Sequence, residues 1–269
     1  LLAREAEAGP LLVGFARMAV AAPCLLLAAR FRERSWRLSG RRDALGILAT
    51  GACMSAYQVF YFSAVPLTGV AVTALLAICS SPLMIAGLAA LFLAERLTPK
   101  VYAALALGVL GTGLLVLGPR GIGTIGSAFL TGAALALGAG LSYALYAVAT
   151  KATLARIAPL PLAALTFSVA ALGLAPVILW ESRVAAPLVA GWPLFLYLGL
   201  VPTALAYALY TEGLRRTPAT VAGIATLLEP LTATTLGVIL FSERLGLAGA
   251  LGALLLLTAI TLLAFKREQ

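Results

Sequence analysis

The chain has 269 residues, of which 62% are hydrophobic and 11% charged, and its formal net charge is +9. Soluble domains are roughly 45–50% apolar and about 25% charged, so this excess indicates a surface solvated by lipid. The absence of histidine removes the commonest general base and argues against an enzyme. Cys24, Cys53 and Cys79 lie in apolar runs without CxxC spacing, so we expect no disulfide framework, metal site or cofactor.

Nine apolar stretches follow one another along the chain. Each contains about 20 residues, which is the length an α-helix needs to cross about 30 Å of hydrocarbon. None shows the strict alternation of a membrane β-barrel strand. We therefore predict an all-α integral membrane protein with spans at 10–30, 44–64, 69–92, 99–118, 127–149, 159–180, 192–213, 218–241 and 246–265.

Positive charge is distributed unequally between alternate connections. One side of the predicted membrane protein carries 14 Lys and Arg residues, and the other carries four, at Arg4, Arg120, Arg183 and Arg244. The richer side is cytoplasmic by the positive-inside rule. The excess of positive charge therefore indicates how the protein is oriented in the membrane, and we expect no nucleic-acid partner. We predict a multi-pass protein of the cytoplasmic (inner) membrane, with its C-terminus cytoplasmic and residue 1 outside.

An internal repeat recurs at an offset of 148 residues. Ala94-Glu95-Arg96-Leu97 returns as Ser242-Glu243-Arg244-Leu245, and Pro82 matches Pro230 at the same offset. The span at 127–149 has its counterpart upstream of residue 1, so we expect a ten-span protein whose first helix is missing from this chain. Five spans per repeat make the second repeat inverted, which is typical of secondary transporters.

These repeat boundaries predict a domain organisation. We assign the first repeat, without its first helix, to residues 1–118, a connector to 119–126, and the second, inverted repeat to 127–269. Alternating access would then be a rocking movement of helix bundles, with hinges predicted at Pro82 and Pro230. The sequence contains no nucleotide-binding motif, so we expect no direct use of ATP.

Three marks carry a resemblance to a known family. They are Ser81-Pro82 followed by Glu95-Arg96-Leu97, the matching Glu229-Pro230 followed by Glu243-Arg244-Leu245, and Phe15-Ala16-Arg17 near the start of a span. Together they resemble the drug/metabolite transporter superfamily, specifically its ten-helix EamA-type members. The resemblance implies cytoplasmic ends, a central cavity between the repeats and export of small metabolites. Within the superfamily, the chain looks most like the YddG-type exporters of aromatic and other amino acids.

Two charged residues within spans are candidate substrate-binding groups, because charge in hydrocarbon is costly. Glu229 lies at the middle of its span, where it would bind a substrate ammonium or a coupling proton, or remain protonated and hydrogen-bonded to a neighbouring helix. Arg17 would bind a substrate carboxylate, pair with Glu229, or extend outward as an anchor. Glu212, near a helix end, is predicted to pair with Arg215 or Arg216.

Aromatic pairs form the second group of candidates. Residues three or four apart share a face of a helix, and such pairs suit stacking against apolar side chains. We hypothesise aromatic walls on both sides of a midplane cavity; ordinary helix packing is the alternative. The candidates are Tyr57 and Tyr61 with Gln58 beside them, Tyr143 with Tyr146, and Tyr207 with Tyr210.

Ser80 and Ser81 complete the list of candidate substrate-binding residues. They precede Pro82 and match Leu228 and Glu229 in the second repeat. Hydroxyl groups beside a proline commonly bond the backbone that the proline leaves unpaired, so we favour a structural role for them. The glycines at 108, 111 and 113 are interpreted as helix-packing positions.

The predicted partners are a small-molecule substrate, membrane lipid and, as a coupling ion, a proton. We expect a monomer or weak dimer. The leading hypothesis is export of aromatic or neutral amino acids by alternating access. The alternatives are an exporter of other metabolites or drug-like cations, and a channel-like facilitator.

Overall fold

The computed structural model describes residues 9–33, 40–117, 126–180, 184–241 and 246–264, and within these ranges it contains helices and no β-strand. Helices α1 to α5 cover Pro10–Arg32, Arg41–Thr68, Val70–Phe92, Pro99–Leu117 and Ser127–Thr153. Helices α6 to α8 cover Pro159–Leu174, Val177–Trp180 and Ala185–Ala190. Helices α9 to α13 cover Trp192–Gly199, Ala206–Arg216, Ala219–Ala225, Leu228–Phe241 and Leu247–Ala264, and a π-helix at Leu200–Leu205 joins α9 to α10.

The predicted all-helical membrane fold is confirmed. Six helical segments among the described residues are long and apolar enough to cross a membrane: Pro10–Arg32, Arg41–Thr68, Val72–Phe92, Ser127–Thr153, Pro159–Leu179 and Trp192–Arg216. Three shorter apolar segments lie at Pro99–Leu114, Ala219–Thr232 and Leu247–Leu262. All nine predicted stretches therefore contain helices, because a chain in hydrocarbon must pair its backbone polar groups internally.

Two residue types mark the helix boundaries. Pro10 and Pro159 occupy the first turn of α1 and α6, where the N–H that proline lacks has no partner within the helix. Gly69, between α2 and α3, has a φ of 80°, a left-handed conformation that glycine adopts without strain. Helix α2 therefore ends and α3 begins within one residue.

The helices of the second half are interrupted more often than the sequence predicts. The stretch at 192–213 was expected to be one helix, but it contains the π-helix at Leu200–Leu205 around Pro202. The stretch at 218–241 divides at residues 226–227, one turn before Pro230. The stretch at 159–180 also divides, at Ala175 and Pro176. A proline cannot bond the carbonyl four residues earlier, and each of the three interruptions lies beside one.

The chain divides into two compact units. Unit 1 comprises Leu1–Ser63 and Leu145–Thr217. Within it, α1 packs along α6, and α9 and the π-helix also contact α1. Fully buried side chains at this packing include Leu12, Met18, Leu162 and Phe167.

Unit 2 comprises Ala64–Ala144 and Pro218–Gln269. Its largest helix pair is α4 with α13. A Cβ atom on Gly111 would lie 2.8 Å from the carbonyl oxygen of Gly252, so only glycine permits the two backbones to approach this closely. Leu105, Ile224, Leu227 and Leu256 form a buried cluster beside this crossing.

Each unit combines segments from both halves of the sequence. The two segments of unit 1 correspond approximately to one another at the repeat offset of 148, and so do those of unit 2. The compact units are therefore not the sequence repeats. Equivalent helices of the two repeats pack within the same unit.

Candidate functional site

Arg17 lies two turns into α1 and is bound to a proline-interrupted segment of unit 1. Its Nε donates a hydrogen bond to Oγ1 of Thr203 at 3.2 Å, and the Thr203 side chain is completely buried. Oγ1 of Thr203 in turn donates to the carbonyl oxygen of Leu198 at 2.7 Å. This is the carbonyl that Pro202 cannot bond in the α-helical pattern.

The Thr203 hydroxyl therefore has a fixed orientation. It accepts from the guanidinium and must direct its own hydrogen at Leu198. Gly199 permits this contact, because a Cβ atom there would lie 3.3 Å from the carbonyl oxygen of Arg17 and still closer to Val20. Thr203 is not among the residues predicted from the sequence, although its place directly after the mid-span Pro202 is a signal for such a contact.

Tyr57, Gln58 and Tyr61 lie together on α2. The rings of Tyr57 and Tyr61 have centroids 5.7 Å apart, and Tyr61 meets Phe62 edge to face at the same distance. Gln58 is 2% exposed. A Cβ atom on Gly14 would lie 2.9 Å from the ring of Phe62 and 3.7 Å from Oε1 of Gln58, so α1 approaches this group closely.

A second aromatic cluster of unit 1 joins Tyr146, Tyr207 and Tyr210. Tyr146 stacks on Tyr210 with centroids 6.4 Å apart and meets Tyr207 edge to face at 6.1 Å. Phe167, which the sequence analysis did not select, contacts Tyr207 at 4.7 Å. Tyr146 is 1% exposed, whereas Tyr207 and Tyr210 are half-buried. Tyr143 belongs to unit 2 and is half-buried there.

Ser80, Ser81 and Pro82 lie within α3, which continues without interruption through the proline. Oγ of Ser81 donates to the carbonyl oxygen of Ile78 at 3.3 Å, the group that Pro82 leaves without its usual N–H partner. Oγ of Ser80 donates to Ala77 at 3.4 Å. Both hydroxyls thus make the backbone contacts expected of a structural role.

Glu229 and Pro230 lie at the start of α12, after the helix interruption at 226–227. The backbone N–H of Glu229 bonds the carbonyl oxygen of Thr226 at 3.0 Å across three residues, which is a tighter turn than the α-helical pattern. The Glu229 side chain is exposed within unit 2, while Pro230 is buried. The position described in the sequence analysis as the middle of a span is therefore a helix start.

Unit 1 also contains an apolar groove of about 350 Å³. It lies between α1, near Phe15 and Val20, and the start of α9, near Trp192 and Phe195. Arg17 does not line it. Among the described residues, no three Cys, Asp or Glu side chains are grouped closely enough to hold a metal ion.

Comparison with known proteins assigns the chain to a family. The model of the EamA-like transporter family matches twice, over residues 2–117 and 130–265. This chain belongs to the EamA-like transporter family. It is 33% identical over 265 residues to the uncharacterized transporter YwfM of Bacillus subtilis (strain 168), covering 98% of this chain and 87% of that protein.

Two further similarities agree with the family. An uncharacterized transporter of Archaeoglobus fulgidus is 30% identical over 200 residues, which is 74% of this chain and 69% of that protein. One solved crystal structure shares the fold with a TM-score of 0.82 at 24% identity, covering 96% of this chain and 89% of the other. The resemblance to the drug/metabolite transporter superfamily is thus confirmed at the level of the EamA-like family.

In this EamA-like transporter, Glu95 of the Glu95-Arg96-Leu97 motif binds the start of another helix, a contact that was not predicted from the sequence. The carboxylate of Glu95, after α3, accepts hydrogen bonds from the backbone N–H of Ala219 at 2.6 Å and of Thr220 at 3.1 Å. Oγ1 of Thr220 donates to it at 2.7 Å. Glu95 thereby caps the N-terminus of α11. Its counterpart Glu243 lies outside the described residues.

The charged residues at one end of unit 1 are also paired. Nζ of Lys151, at the end of α5, donates to the carbonyl oxygens of Leu214, Arg215 and Thr217. Arg156 binds Asp43 at 2.8 Å. The predicted pairing of Glu212 is confirmed: its partner is Arg216, at 2.6 Å.

Proposed function

We propose that this transporter exports amino acids with aromatic or neutral side chains across the cytoplasmic membrane by alternating access. The observation that carries the proposal is Arg17, a cation within a membrane-spanning helix whose Nε is held by a buried hydroxyl. A guanidinium is costly at this depth and commonly marks a substrate pathway.

The remaining donors of Arg17 suit a carboxylate. A guanidinium has five N–H donors, of which Thr203 receives the one on Nε. The terminal nitrogens make no hydrogen bond to any residue that the structure describes. Arginine binds carboxylates through two parallel hydrogen bonds, and here the contact with Thr203 would orient the guanidinium before the substrate arrives.

The aromatic groups supply apolar surface for the rest of the substrate. Tyr57 and Tyr61 form one such surface, and Tyr207 with Tyr210 form another, supported from behind by the fully buried Tyr146. Aromatic rings interact through stacked and edge-to-face arrangements. Glu229, in unit 2, has an exposed side chain at a helix start and is the candidate for a coupling proton.

The proposed orientation has the C-terminus in the cytoplasm. Its support is the excess of Lys and Arg on one side of the spans. Lys151, Arg156, Arg215 and Arg216 all belong to that excess, and the contacts of Lys151 and Arg156 join the ends of α2, α5 and α10 at one end of unit 1.

Counterflow in proteoliposomes tests the substrate assignment. Proteoliposomes that contain the protein would be loaded with unlabelled phenylalanine, and uptake of labelled phenylalanine, tyrosine, tryptophan, threonine and methionine would be compared with empty liposomes. We expect saturable exchange of several of these amino acids. Linear, non-saturating flux would indicate a channel-like facilitator, and no exchange of any amino acid would refute the substrate assignment.

The role of Arg17 is tested by comparing each amino acid with its decarboxylated amine as a competitor. The wild type should prefer the amino acid, and Arg17→Gln should lose about tenfold in that preference, because a charge-assisted bidentate contact is removed. Thr203→Val should lose part of it by releasing the guanidinium. Thr153→Val is the matched control, since the buried Thr153 hydroxyl bonds the carbonyl oxygen of Ala149 one turn earlier and lies outside the proposed site. Equal preference in wild type and Arg17→Gln contradicts the proposal.

A cationic substrate is the second candidate function. It is favoured by the exposed carboxylate of Glu229 in unit 2, a group that attracts cations. Uptake of a labelled lipophilic quaternary ammonium in the same liposomes separates the two assignments. Exchange of the cation without exchange of any amino acid would favour this alternative.

A further inference from the structure

The chain passes from one compact unit to the other at three places, and these places differ. Two of them, after Ser63 and after Ala144, lie inside the continuous helices α2 and α5. The third lies between Thr217 and Pro218, which separate α10 from α11. Relative movement of the units is therefore absorbed most easily at this third crossing, where no helical hydrogen bonds need to break.

The third crossing is short and extended. Thr217 has φ −121° and ψ 151°, and Pro218 has φ −55° and ψ 147°. The proline ring fixes its own φ, and its presence restricts Thr217 to extended conformations. Rotation at this connector is consequently limited to a few backbone dihedral angles.

On the unit 1 side, a lysine fastens the end of α10. Nζ of Lys151 lies 2.8 Å from the carbonyl oxygen of Leu214, 3.2 Å from that of Arg215 and 2.8 Å from that of Thr217. An ammonium group has three donors, and all three are used here. The last carbonyls of a helix have no partner within it and attract cations, so Lys151 ties the helix end to α5.

On the unit 2 side, a glutamate fastens the start of α11. The Glu95 carboxylate accepts from two backbone N–H groups and from the hydroxyl of Thr220. A carboxylate at a helix N-terminus bonds free N–H groups and interacts favourably with the helix dipole. The preceding Ala94 has a φ of 52°, an uncommon conformation for a residue with a side chain.

We propose that Lys151 and Glu95 are positioning residues for the transport cycle. Each holds one side of the Thr217–Pro218 connector to its own unit, so that at this crossing a change in the relation of the units is confined to two residues. Without these contacts, the ends of α10 and α11 unwind and absorb the movement locally. This inference rests on the proposed alternating access, but it does not depend on which substrate is carried.

Turnover and affinity, measured separately, test the proposal. In proteoliposomes, Glu95→Ala and Lys151→Met should lower the maximal exchange rate about tenfold, since gating movements limit many such cycles. The dissociation constant of the substrate, measured on the same protein in detergent, should stay within about twofold. Lys151→Arg retains donors and charge and should recover most of the rate.

Glu212→Gln is the matched control for charge removal. Glu212 lies on α10 close to the connector, but it pairs with the exposed side chain of Arg216 instead of with the backbone groups of a helix end. Its replacement should leave rate and affinity unchanged. A purely structural role for Glu95 and Lys151 predicts that binding capacity and rate fall together; that result, or an unchanged rate, overturns the proposal.

A substrate-independent measurement separates failure of this inference from failure of the substrate assignment. Spin labels at the exposed positions Leu48 in unit 1 and Tyr102 in unit 2, in a variant with its three cysteines replaced by alanine, report the distance between the units. We expect discrete distance populations for the unaltered connector and a broadened distribution after Glu95→Ala or Lys151→Met. An unchanged distribution refutes the hinge, even if no amino acid is exchanged.

Discussion

Two spans of unit 2 carry a proline at equivalent places in the sequence repeat, and they respond to it differently. Helix α3 continues through Pro82, whereas the second span divides at residues 226–227, before Pro230. The residue before the proline differs: it is Ser81 in one span and Glu229 in the other.

The difference has a simple chemical cause. Each proline leaves the carbonyl four residues earlier without its helical partner. The hydroxyl of Ser81 donates to that carbonyl, on Ile78, and α3 stays intact. Glu229 has no hydroxyl group, and the corresponding carbonyl of Thr226 is bonded by the backbone N–H of Glu229 through a tighter turn. A proline thus permits a break, and its neighbours decide whether the break occurs.

Replacing the residue before Pro230 by the one that precedes Pro82 should have the largest effect on transport. Glu229→Ser introduces the Ser-Pro pair of α3 into the second span and removes the exposed carboxylate. We expect transport in counterflow to fall at least about tenfold, because the proposed site for a coupling proton is lost, while thermal stability in detergent is maintained. Leu228→Ser is the control, since it places a hydroxyl at the position equivalent to Ser80 and retains Glu229. Wild-type exchange by Glu229→Ser would mean that this carboxylate does not take part in transport.

Removing the two prolines should have a smaller and unequal effect. Pro230→Ala restores an N–H that can bond Thr226 and close the interruption, so we expect the maximal exchange rate to fall about fivefold if this break is needed for movement. Pro82→Ala alters a helix that is already continuous, and its rate should remain within about twofold. Equal effects of the two variants would contradict the distinction drawn between the spans.

Removing single hydroxyls should have the smallest effect, on stability alone. Ser81→Ala deprives the Ile78 carbonyl of its donor and should cost about 1 kcal/mol, seen as a melting temperature lower by a few degrees. Ser80→Ala should cost less, because its acceptor, the carbonyl of Ala77, is the normal partner of the Ser81 N–H in an α-helix. Larger destabilisation by Ser80→Ala would reject this explanation of the intact α3.

Parts of the candidate site were predictable and parts were not. The i,i+4 contact between Tyr57 and Tyr61 and the pairing of Glu212 with Arg216 involve neighbours on one helix face, so residue spacing is sufficient to find them. The kink near Pro230 was also predictable, because a proline removes a helical hydrogen bond wherever it lies in a span. The π-helix was not predicted, because π-helical turns are rare and a mid-span proline does not by itself select one.

The sequence by itself determined the helical membrane fold, the span positions and the repeat, since these depend on local hydropathy and on backbone groups that must be paired within each span. Only the tertiary structure decided which side chains meet across the chain. Arg17 and Thr203 are 186 residues apart, Lys151 and Thr217 are 66 apart, and Glu95 and Thr220 are 125 apart. Such contacts depend on how helices pack, where a shift of one residue turns a side chain through about 100°.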